Sequence, residues 1–171
     1  MIQAYGSIVQ IAYVVENIAS SARAFSETMG VGPFFLFDPI EIVDPRYKGE
    51  PTDMDISLAI GYSGGVSIEL IKVNSTGPSV YETAGVNGFH HLAIMSEIFD
   101  EELGRYQQLG YDCVFSGSVA VGARFAYMHT LEALGGMVEL IEVTPAVKDF
   151  FALLEGEAVG WKGNDHLRTL A

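Results

Sequence analysis

The 171-residue sequence predicts an α+β fold: two paired βαβββ modules forming a shared half-open, barrel-like cup. Three observations predict it. The halves open alike, QIAYVV at 10–15 against HLAIMS at 91–96, and close alike, GGVSIELIKV at 64–73 against GGMVELIEV at 135–143. Each opening strand carries one polar, metal-competent residue at its start, Gln10 or His91. Each closing strand carries one carboxylate near its middle, Glu69 or Glu139. The expected division is a first module over 7–73, a connector over 74–88, a second module over 89–144, and a terminal helix and tail over 145–171. All of it is read as a single domain, 1–171.

The first strand spans 8–15, and its apolar residues on both faces predict cover on both sides. A helix follows from Ile18 to Met29, with Asn17 as N-cap, Ile18, Ala22, Phe25 and Met29 as its apolar stripe, and Gly30 as its stop. The second half repeats the plan with a strand over 89–95, Ser96 as N-cap, and a helix striped by Phe99, Leu103, Tyr106 and Leu109 that ends at Gly110. Each half then has room for three strands, and the Gly-Gly pair before the last one predicts a tight hairpin turn. The first half is longer. Its excess, DPIEIVDPRYKGEPTD at 38–53, reads as a long loop or lid. Within it Glu41, Asp44 and Tyr47 read as solvated residues or helpers of a site, and Arg46 and Lys48 as surface charges or anion contacts.

The bulk properties narrow the function. A net charge of −13 opposes binding to nucleic acid or to an anionic membrane surface. No apolar run is long and charge-free enough to span a bilayer, and the N-terminal stretch reads as the first strand rather than a signal peptide. The single cysteine, Cys113, excludes an intrachain disulfide framework and a Cys-rich zinc site, and fits a reducing cytoplasm.

Side chains alternate along a strand. Gln10 therefore shares a face with Ile8, Ala12 and Val14, and His91 with Phe89, Ala93 and Met95. His90, the neighbour, is expected to point out of the cup. Taken singly, Gln10 reads as a satisfied core amide, His91 as a core histidine, and the two glutamates as strand residues reaching water. Taken together they recur at matching points of a repeat. Two carboxylates centred in apolar strands are costly unless paired, Lys72 alternates away from Glu69, and only Arg124 offers a nearby guanidinium. A divalent cation held by Gln10, Glu69, His91 and Glu139 solves the charge problem. One nitrogen and three oxygens suit Mg, Mn, Fe, Co, Ni or Zn.

On these residues the chain resembles the vicinal oxygen chelate superfamily, which includes glyoxalase I, methylmalonyl-CoA epimerase, extradiol dioxygenases and bleomycin-resistance proteins. GFHHLAI and ELIEV look like the second-module ligand strands, QIAYVV and VSIELI like those of the first, and VGWKGNDHLRTL like the tail of certain bacterial glyoxalase-like proteins. The resemblance implies one divalent metal that chelates vicinal oxygens of a small molecule. Gln10 stands where ring-cleaving dioxygenases have a histidine, and one His, one Gln and two Glu resemble the isomerase, epimerase and lyase branch. The expected activity is proton transfer next to a carbonyl of a small apolar substrate, with Glu139 as first choice of base and Glu69 as second. A non-catalytic small-molecule binding protein and a metal-dependent ring-cleaving oxygenase remain as alternatives. A homodimer is the expected assembly.

Overall fold

The computed structural model describes residues 6–84 and 88–170. The last part of the expected connector, 85–87, and the chain ends, 1–5 and 171, lie outside the described residues. In chain order the first module runs β1 (Ile8–Val14), α1 (Ile18–Met29), β2 (Phe34–Phe37), β3 (Ile42–Tyr47), β4 (Glu50–Pro51), β5 (Ile56–Ser63) and β6 (Val66–Val73). A 3₁₀ turn covers Val80–Ala84. The second module runs β7 (Gly88–Ser96), α2 (Phe99–Gln108), β8 (Cys113–Val119), β9 (Arg124–Met128), α3 (Leu131–Leu134) and β10 (Met137–Glu142). Helix α4 (Pro145–Ala158) and β11 (Leu167–Thr169) follow.

The expected local signals account for most of these bounds. Asn17 caps α1 by accepting from the Ser20 backbone N–H, and Gly30 ends it at a φ of 69° that glycine adopts without strain. Thr144 caps α4 in the same way, ahead of Pro145 in the first turn. Helix α2 differs. Its N-cap is Ile98, Ser96 accepting only from the Ile98 N–H, and Leu109 lies past the helix, 61% exposed instead of on its buried stripe.

All strands join one sheet in the order β11-β2-β5-β6-β1-β7-β10-β9-β8-β3-β4. Read outward from the β1–β7 seam, the modules mirror each other: β1, β6, β5, β2 on one side and β7, β10, β9, β8 on the other. The register confirms the repeat residue by residue. Gln10 pairs with Ser67 and Ala12 with Glu69, as His91 pairs with Met137 and Ala93 with Glu139. One face packs on α1 through Ala22, Val31, Phe34 and Leu70, and the other encloses the cup through Leu58, Ile60, Phe115 and Phe125.

Four expectations change. Segment 38–53 is not a free loop: β3 and β4 form a hairpin, and β3 pairs with β8 of the other module. The second Gly-Gly pair does not make a hairpin turn, because α3 intervenes and Gly135 is its left-handed C-cap. The polar tail supplies β11, which extends the sheet beside β2. Strand β7 carries a bulge, since Ala12 faces His91 while the next residue, Tyr13, faces Phe89. A bulge sets two successive residues against one partner and breaks the alternation.

Candidate metal centre at the floor of the cup

A cavity of about 330 Å³ opens between the two halves of the sheet. Its wall is apolar, built by Leu58, Ile60, Ile71 and Phe125 from the sheet and by Phe150 and Phe151 from α4. Gln10, Glu69 and Glu139 stand at its lining together with Tyr81 and Tyr127. The repeat explains why they meet. Gln10 and His91 start the two strands of the seam, and each glutamate lies on the flanking parallel strand beside an alanine that leaves it room. Ala12 and Ala93 are fully buried.

His91 is the centre of the cluster. It is fully buried, with Nε2 3.2 Å from Glu139 Oε2 and 3.5 Å from Glu69 Oε2. Neither contact meets hydrogen-bond geometry, so Nε2 is a buried polar atom without a hydrogen-bond partner. Burial holds the imidazole pKa down to about 3, so the ring is neutral and these contacts are not ion pairs. Burial also raises both carboxyls. Glu69 lies well above the usual carboxylate range, first through desolvation and then through the Glu139 charge, against a hydrogen bond from Gln10 that lowers it. Glu139 is pushed up to about 8 by desolvation, against a hydrogen bond from Tyr127. The two glutamates differ by one rung: Glu139 faces Tyr127 across its ladder, whereas Glu69 faces Ile60.

These residues fit a divalent ion. Two donors bound at about 2.1 Å and about 90–110° apart stand about 3.0–3.4 Å from each other, close to the separations seen around His91 Nε2. A cation there would satisfy the orphaned nitrogen and both carboxylates at once. Among the described residues no group of three or more His, Cys, Asp and Glu is placed, as it stands, to hold a metal ion; Glu69 and Glu139 each approach His91 singly. Gln10 needs one adjustment. Its Oε1 accepts from Ser67 Oγ at 3.0 Å, and that hydroxyl also lies 3.1 Å from the Val9 carbonyl oxygen. A hydroxyl has one proton. If Ser67 donates it to Val9, the Gln10 amide turns over, gives its N–H to Ser67 and frees its oxygen.

Several residues of the site escape sequence reasoning. Tyr127 is one, although the β9–β10 ladder, once its register is drawn, sets it opposite Glu139. Tyr81 comes from the 3₁₀ turn in the expected connector, and its hydroxyl lies 3.3 Å from that of Tyr127. Burial raises both phenols, so they stay protonated. His90 is the largest correction. The bulge turns it inward: it is 2% exposed, and its Nδ1 lies 2.8 Å from Nδ1 of His91. Arg124 lines the cavity but is held by Glu142 at 2.7 Å and Asp100 at 2.8 Å, so it does not neutralise the floor. Of the hairpin residues, Glu41 lines the cavity, Arg46 is paired with Asp44, and Lys48 lies over the Tyr47 ring.

The fold is one of two fused βαβββ modules that share a single cup. The chain belongs to the glyoxalase/bleomycin resistance protein/dioxygenase superfamily, whose sequence pattern matches residues 9–127. Among solved structures it is similar to methylmalonyl-CoA epimerase from Mycobacterium tuberculosis, with a TM-score of 0.59 at 15% identity over 87% of this chain and 97% of that one. A hypothetical protein from Bacillus halodurans C-125 gives 0.58 at 18% identity over 81% and 95%. A Streptomyces coelicolor methylmalonyl-CoA epimerase variant in complex with 2-nitronate-propionyl-CoA gives 0.52 at 14% identity over 83% and 97%. At these identities the likeness is one of fold. No curated protein matches the chain. No described helix is long and apolar enough to cross a membrane.

Proposed function

We propose that this chain is a divalent-metal-dependent isomerase, epimerase or lyase that moves a proton next to a carbonyl of a small, apolar substrate with vicinal oxygens. The observation that carries the proposal is the bare, buried Nε2 of His91 set against two buried carboxylates at the floor of an apolar cavity. His91, Glu69, Glu139 and the turned Gln10 amide would hold the ion: Zn, Mg, Mn, Co, Ni or Fe. When bound, it supplies positive charge that polarises the carbonyl and stabilises the negative charge building on its oxygen.

The remaining work falls to the chain. The aliphatic and aromatic wall excludes water and orients the apolar body of the substrate. Glu139 takes or returns the proton at the adjacent carbon, its basicity raised by burial and trimmed by the Tyr127 hydroxyl. Tyr81 and Tyr127 form a hydroxyl pair through which a proton is held near that carboxyl. Glu69 serves as ligand and, in an epimerisation, as the group on the opposite face. The fold neighbours in complex with CoA thioesters raise that substrate class. The one basic side chain among the described lining residues, Arg124, is already paired, which favours an uncharged substrate.

The superfamily also includes binding proteins, and the apolar cavity suits sequestration. Screening small dicarbonyl and hydroxycarbonyl compounds in deuterated water separates the readings. An enzyme of this class places solvent deuterium at the α-carbon, and Glu139→Gln loses that exchange because an amide does not return a proton. Ligand bound without exchange selects the binding protein; oxygen consumption without exchange selects the ring-cleaving oxygenase. The proposal further takes the chain as one functional domain, since both modules supply ligands. It places the chain in the cytoplasm as a homodimer, which light scattering tests.

A further inference from the structure

His90 does no work in the mechanism above, yet it is as deeply placed as the ligands and touches one of them. Its Nε2 lies 3.1 Å from the Val80 carbonyl oxygen, at the start of the 3₁₀ turn. A carbonyl only accepts, so that nitrogen carries a proton. A neutral imidazole holds one proton, which leaves Nδ1 of His90 bare and 2.8 Å from Nδ1 of His91. Two lone pairs facing each other at that distance repel, so His91 carries its own proton on Nδ1 and donates it. The consequence falls on the far side of the His91 ring. Nε2 must be bare, in agreement with its lack of any hydrogen bond.

We propose that His90 is the positioning residue of this centre: anchored on the Val80 carbonyl, it fixes the tautomer of His91 so that the lone pair on Nε2 faces Glu69 and Glu139. The proposal rests on the metal reading for its purpose, though not for its geometry. A bulge at this point of β7 is what allows it, because two successive residues of a regular strand would send one ring out of the cup. The ring is also held by packing, with Tyr81 and Tyr127 centroids at 4.8 and 5.6 Å. The opposite relay fails at its first link. A proton on His90 Nδ1 in place of Nε2 would set two acceptors against each other at Val80.

Long-range ¹H–¹⁵N NMR of the metal-free protein reads each tautomer, and Co²⁺ titration against a competing chelator reads the affinity. Wild-type protein should show His90 protonated at Nε2 and His91 at Nδ1. His90→Leu removes the acceptor. Its His91 proton should move to Nε2, and Co²⁺ affinity should fall about 10–100-fold. His90→Asn offers an amide oxygen where Nδ1 stood, and should keep the His91 proton on Nδ1 with most of the affinity. Wild-type His91 protonated at Nε2 would overturn the proposal. So would a folded His90→Leu with wild-type tautomer and affinity, or leucine and asparagine variants that weaken Co²⁺ binding alike without a tautomer change. If His90→Leu does not fold, the wild-type spectrum and the asparagine variant decide. Wild-type protein with the assigned tautomers that binds no Co²⁺ supports the relay and overturns the metal reading.

Discussion

Lowering the pH should release the metal unusually early, and the structure gives the steepness. In a site of exposed carboxylates both groups are ionised well below pH 6, and protons do not compete with metal at neutral pH. Here desolvation pushes Glu139 up to about 8 and raises Glu69 well above the usual range. The metal-free floor therefore carries carboxyl protons at pH 7 that a cation must displace. His91 adds none, because burial keeps it neutral down to about pH 3. Each displaced proton changes the apparent affinity about tenfold per pH unit, so Glu139 alone gives close to a tenfold change between pH 7 and pH 6, and the raised Glu69 steepens it further. Affinity weakens as pH falls, since protons and metal compete for the same oxygens. Calorimetry with Co²⁺ in two buffers of different ionisation enthalpy counts the protons directly. An affinity flat from pH 6 to 7.5, with no proton released at pH 7, would refute the reasoning: the carboxyls would then not be buried together as described.

Gln10→Ala, Glu69→Ala, His91→Ala and Glu139→Ala should each weaken Co²⁺ binding in the same titration, with Gln10→Ala the mildest because it removes no charge and no imidazole. The metal-free protein should lose stability as pH rises. Glu69 and Glu139 hold protons to higher pH folded than unfolded, so their contribution is complete below the ordinary carboxyl value and is lost as pH rises through about 8. Its melting temperature should fall across pH 7–8, above the range where His90 and His91, held neutral by burial, gain stability with rising pH and oppose the carboxyls; saturating Co²⁺ should flatten the slope, and a metal-free melt that rises over pH 7–8 contradicts the burial. Tyr127→Phe removes the bond that holds Glu139 down, raising that carboxyl further and cutting Co²⁺ affinity at pH 7 about tenfold. Gly136→Ala drives a methyl into the Phe89 ring and the His90 carbonyl, and should cost about 1–3 kcal/mol by denaturant titration.

The two-module plan was legible because duplication wrote it twice. Gln10 and His91, and Glu69 and Glu139, fall at matching rungs of the ladders, down to the alanine beside each glutamate. What alternation cannot see is a bulge. One extra residue in β7 brought His90 inside and sent Phe89 to the opposite face, where its ring meets Tyr13. Long-range pairing was equally hidden. Nothing local in IVDPRY indicates that it will pair with a strand of the other module, because the partner lies some seventy residues away. Tyr81 lies in a connector whose sequence carries turn formers, and only the closed fold brings its hydroxyl to the floor.

The single rung that separates the two glutamates has a stereochemical consequence. A floor whose two halves matched rung for rung would hold both carboxyls in the same surroundings. Here Tyr127 stands opposite Glu139, while the matching place opposite Glu69 is filled by Ile60. One carboxyl is tied into a chain of hydroxyls, and the other has the Gln10 amide and a hydrocarbon neighbour instead. On the proposed reading, a proton lost from Glu139 is restored through the two hydroxyls while Glu69 has no hydroxyl across its ladder, so the two faces of a flattened carbon exchange protons at different rates. The duplication built a symmetric cradle, and the residue set opposite each carboxyl makes its two sides unequal.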